Sequence, residues 1–103
     1  MQLVTVSPEA AIMEAWRTVE FSLADTARSL HIDTSTLKAR SNIISKLKDT
    51  NKIDKSTYLL FNDLRLMRNK VAHSRETNIS IEDASKYVEL ALSLARYFKD
   101  KVS

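Results

Sequence analysis

Apolar residues recur every three or four positions over the first third of the chain: Ile12, Trp16, Val19, Leu23, Ala27 and Leu30. That spacing lays them along one face of a helix. Ser7-Pro8-Glu9 stands just before the stripe. It supplies a capping hydroxyl, a proline suited to the first helical position and a carboxylate near the positive end of the dipole. The pattern predicts a helix over 8–30, with Trp16 as its main core anchor. Phe21 falls off the stripe and reads either as a second, intermolecular contact face or as a lone exposed aromatic. Glu20 flanks the stripe, as a surface carboxylate or as a partner for a basic group across the domain.

His31 to Thr36 breaks the period with several capping residues. Leu37, Ile43, Ile44 and Leu47 then predict a short second helix ending near Thr50. Its Lys46 and Lys48 lie about 200° apart around an ideal helix, which argues against a recognition helix for a DNA groove. Asp54 is placed to cap a third helix over 55–73, with Leu60, Phe61, Leu64, Met67 and Val71 facing inward. Ser80-Ile81-Glu82-Asp83 resembles a capping box and opens a fourth helix over 81–100. That helix presents Ala84, Tyr87, Val88, Ala91, Leu94, Ala95 and Phe98 to the core. Three long helices and one short one, joined by short loops, imply an all-α, antiparallel up-down four-helix bundle.

Composition agrees with this reading and narrows the chemistry. There is no glycine and one proline, so the turn punctuation of β-rich folds is missing. The absence of cysteine excludes disulfides, thiolate metal sites and thiol nucleophiles. The two histidines, His31 and His73, do not have zinc-ligand spacing, and no cofactor is expected. His31 sits at a helix end, where a cation is favourable, and is assigned a structural role. The chain reads as one helical domain over 8–103 with residues 1–7 as a tail or linker. No apolar run is long enough for a membrane span, and no signal pattern opens the chain. A cytoplasmic protein, or the cytoplasmic domain of a larger one, is the expectation.

Charge is unevenly distributed along the chain. Residues 38–75 hold ten basic and three acidic side chains, a net +7, while the remainder is −4. A central positive block suits an anionic partner such as RNA; the alternative is a solvated helix surface.

The end of the third helix concentrates the chemistry. Within Asp63-Leu64-Arg65-Leu66-Met67-Arg68-Asn69-Lys70-Val71-Ala72-His73-Ser74, Arg68, Asn69 and His73 offer a fixed cation, an amide and an imidazole. A histidine can move protons near neutral pH. An arginine stays charged and can hold phosphate oxygens as negative charge develops. Asn69 lies one turn before His73 and could orient it or donate to phosphate. Arg68 and His73 are about 140° apart on an ideal helix, so they converge only at a helix end or across two chains. The structural alternative is a histidine favoured by the helix C-terminus and an arginine paired with an acid such as Glu20.

Arg68-Asn69-Lys70-Val71-Ala72-His73, with a polar residue directly after the arginine and set at the end of a third helix, resembles the R-x4-H motif of the HEPN superfamily. The resemblance covers the four-helix plan over most of the chain. It implies a homodimer that brings two copies of the motif to a shared cleft. In active members the ribose 2′-hydroxyl attacks the adjacent phosphate without a metal and leaves a cyclic phosphate. On that basis Arg68, Asn69 and His73 are the candidate catalytic residues. Arg65, Lys70 and Arg75 are the candidate RNA contacts, and Glu20 is a supporting partner. The enzyme so implied is a metal-independent endoribonuclease, as in toxin–antitoxin or host-defence systems, where a neutralising antitoxin would be a separate chain. The alternative is a non-catalytic RNA- or nucleotide-binding module, or a protein-interaction and dimerisation module of a larger protein.

Overall fold

The computed structural model of the chain describes residues 7–36, 42–73 and 78–101. These form four helices, α1 (Pro8–Ser29), α2 (Ile43–Asp49), α3 (Lys55–His73) and α4 (Ile81–Asp100), with no strand among the described residues. The bundle is therefore all-α. Leu37, Lys38, Arg40 and Arg75 lie outside the described residues, as does the predicted start of the second helix.

The three long helices begin where their side chains can satisfy free backbone N–H groups. The Ser7 hydroxyl accepts from Ala10 N–H at 3.2 Å, and Pro8 follows it. Asp54 Oδ1 accepts from Thr57 N–H at 2.9 Å, and hydrogen bonds from the Thr57 side chain and backbone hold the Asp54 carboxyl below its ordinary pKa. The Ser80 hydroxyl accepts from Asp83 N–H at 3.0 Å.

The helix ends expose the cost of having no glycine. After α1, His31 takes φ 59°, its N–H donates to Arg28 C=O, and Ile32 N–H reaches back to Ala27 C=O. This is the Schellman arrangement, in which the left-handed position is usually glycine. After α2, Asn51 does the same at φ 58°, with Lys52 N–H bonded to Leu47 C=O. His31 therefore has a structural role, but a conformational one at the turn.

The core joins all four helices, and α1 against α4 is its most extensive contact. Trp16 of α1 packs on Phe61 of α3 with ring centroids 5.0 Å apart, and Phe61 meets Phe98 of α4 edge-on at 6.5 Å. The predicted stripes of α1 and α4 are buried, apart from a half-buried Leu30. A buried Thr26 hydroxyl lies 3.0 Å from Ser22 C=O and 2.9 Å from Phe98 C=O, so it ties α1 to the last turn of α4. Tyr87 Oη donates to Leu64 C=O at 2.9 Å and ties α4 to α3. Ile53, in the connection before α3, is also buried.

Met67 departs from expectation. Its spacing predicts a place on the inward stripe of α3, but it is 40% exposed. The buried arc of α3 runs through Phe61, Leu64 and Val71, and the half-buried Arg68 lies within it. Met67 falls about 40° beyond the edge of that arc on an ideal helix. An arginine occupies inward space that the apolar pattern assigned to methionine.

Candidate functional site

α1, α2 and α3 enclose a groove of about 910 Å³. Its α3 wall carries Tyr58, Asn62, Arg65, Arg68 and Asn69; its α1 wall carries Arg17, Glu20, Phe21 and Arg28. Four guanidinium groups against one carboxylate make it electropositive. Arg17 is 3.9 Å from Glu14, and Arg28 pairs with Asp25. Both are exposed pairs three residues apart, worth about 0–1 kcal/mol, and neither prevents its arginine from meeting another anion.

Arg68 is the most constrained of the four. Its Nη1 donates to Asn69 Oδ1 at 3.2 Å, while its Nε is buried with no hydrogen-bond partner among the described residues. A buried donor without an acceptor costs roughly 1–3 kcal/mol, so Arg68 is held at this position against a penalty. Glu20 lines the same groove, yet no ion pair within 4.0 Å joins it to Arg68 among the described residues. Burial pushes the Tyr87 hydroxyl well above the ordinary tyrosine range; the nearby Arg68 opposes that shift and Glu20 adds to it. Arg68 and Glu20 thus both act on the Tyr87 environment without forming an ion pair within 4.0 Å.

Tyr58 closes the α2 side of the groove. Hydrogen bonds to Asn62 and Ser45, with the charge of Lys48, hold its phenol below the usual pKa. Lys48 Nζ also lies 4.4 Å from its ring centroid, a cation–π contact from α2 to α3.

His73 is elsewhere. It is exposed at the last residue of α3 and lines a separate, open depression with Asp63, Leu66, Met67, Asn69 and Lys70. Asn69 borders both this depression and the groove. Of the predicted residues, the structure therefore brings Arg65, Arg68, Asn69 and Glu20 together. It sets His73 and Lys70 on another side of α3, with Asn69 between. α3 ends at His73, and Arg68 and His73 line different depressions on it.

Arg17, Phe21 and Arg28 are groove residues on α1 that the motif did not supply. Their signal was present in spacing: positions 17, 21, 24 and 28 fall within about 60° around an ideal helix. Among the described residues no group of three or more His, Asp or Glu side chains gathers as metal ligands would, and no helix is long and apolar enough to cross a membrane.

Fold and site together define an all-helical domain with an arginine-rich groove beside an exposed histidine. The chain belongs to the family described as Domain of unknown function (DUF4145), whose model matches residues 1–100. No match was found among curated proteins or among solved structures.

Proposed function

We propose that this chain is a HEPN-like antiparallel up-down bundle that cuts RNA as a homodimer, without a metal, at a site completed by the second copy. The observation that carries this reading is the separation of Arg68 and His73 onto two sides of α3, with Asn69 bordering both. Leu66 and Met67 are 55% and 40% exposed beside His73, and they provide apolar surface for a second chain to cover.

The chemistry then follows from residue types. Arg68, with Arg65, holds the phosphate oxygens and stabilises charge as the 2′-oxygen bonds to phosphorus. His73 of the second chain takes the 2′-hydroxyl proton. A water molecule gives a proton to the departing 5′-oxygen as its bond to phosphorus breaks. The products are a 2′,3′-cyclic phosphate and a free 5′-hydroxyl.

A second reading, RNA binding without cleavage, draws on the same groove, because Arg65 and Arg68 can hold phosphates without His73. Incubating the purified chain with mixed RNA in EDTA separates the two. Cyclic-phosphate ends, formed as readily with EDTA as without it, are the expected result. Intact RNA under all conditions would remove the nuclease reading, and binding that falls steeply with salt would then identify the second.

A further inference from the structure

Phe21 is 66% exposed, more than any other large hydrophobic side chain among the described residues. It stands on the same stripe of α1 as Arg17, Ala24 and Arg28 and lines the groove opposite Arg65 and Arg68. We infer that Phe21 is a stacking platform for an unpaired nucleobase, and that the groove therefore takes single-stranded rather than duplex nucleic acid. This inference rests on the RNA reading above and names its substrate class.

Two physical arguments support it. An aromatic face set among cations suits a ligand that alternates anionic phosphates with flat π-faces, and a base inside a duplex cannot present its face to a side chain. The main competing occupant is a second copy of this chain. A two-fold contact through Phe21 would take the Arg17 and Arg28 guanidinium groups of both copies out of water, and that desolvation opposes association. The exposed Leu66 and Met67, on the far side of α3 from this groove wall, carry no such penalty.

The test measures binding of the full chain to a labelled 2′-O-methyl single strand of about 12 nucleotides, which lacks the nucleophile for cleavage. A strand of equal length with abasic sugars is the comparison. Phe21→Ala is expected to weaken binding to the base-bearing strand by about five- to a hundred-fold. Phe21→Trp should restore it, and the abasic strand should bind both variants equally and weakly. Phe21 is exposed, so circular dichroism should show an unchanged fold.

Wild-type affinity in Phe21→Ala, or an equal loss on the abasic strand, overturns the inference. So does a change in the dimer's mass by light scattering with RNA affinity unaltered, which would make Phe21 a contact between chains. Failure of the wider reading looks different: the wild-type chain would bind neither strand, and Arg65→Ala would change nothing. If Arg65→Ala weakens binding and Phe21→Ala does not, only the stacking role is lost.

Discussion

Replacing His73 with alanine is expected to slow RNA cleavage by about 10²–10⁴-fold, the usual cost of losing a general acid–base group. His73 is the last residue of α3 and is exposed. Its removal leaves no buried polar group behind and opens no cavity, so melting temperature and helical content should match the wild type. RNA binding should persist, because the groove built around Arg65 and Arg68 does not include His73. Gel-resolved single-turnover cleavage measures the loss, and binding to an uncleavable strand shows that the groove is intact. Cleavage at the wild-type rate by His73→Ala would remove this residue from the chemistry.

The second large effect concerns the core that holds the groove. Phe98 is fully buried, edge-on to Phe61 at 6.5 Å and to Tyr97 at 5.9 Å. Through Phe61 it supports Trp16, so one ring braces the three long helices. Phe98→Ala should destabilise the domain by about 3–5 kcal/mol, from lost transfer energy and an unfilled cavity. Domains of this size are stable by only about 5–15 kcal/mol, so the variant should sit close to unfolding. Each 1 kcal/mol moves the midpoint by roughly 4–8 °C, and the loss should reach about 12 °C or more. Thermal unfolding followed by circular dichroism measures it. A shift of only a few degrees would mean that α4 does not pack on α1 and α3 as described. Activity should follow the folded fraction, because Phe98 does not line the groove.

The helices were legible in the sequence because their signals are local. Ser7, Asp54 and Ser80 each cap the helix they precede, and the stripes of α1 and α4 are buried as their spacing requires. Met67 misled because apolar spacing does not reveal that a charged residue takes inward space, as Arg68 does. Ile53 carries no periodic signal, because a single apolar residue in a connection has no period, yet it is buried. His31 was placed correctly at a helix end, but its left-handed backbone follows from a Schellman turn formed without glycine.

The site was legible only in part. Arg68, Asn69 and His73 are close in sequence, and their relation follows from the pitch of one helix. The groove requires α1 to lie beside α3, a non-local pairing that no motif encodes, so Arg17 and Arg28 enter only with the fold, and Phe21, an off-stripe contact candidate in the sequence, gains its place in the groove there.

In the proposed nuclease, Arg68 and His73 act together across two chains. Mixing Arg68→Ala with His73→Ala tests it directly, after dissociation and reassociation to form mixed dimers. Each variant alone should be inactive. Half of the mixed population pairs one chain of each kind, and each such pair rebuilds one intact site of two, so about a quarter of wild-type cleavage should return. A site confined to one chain would have no intact copy in any mixture, and continued inactivity in demonstrably mixed dimers would contradict the account.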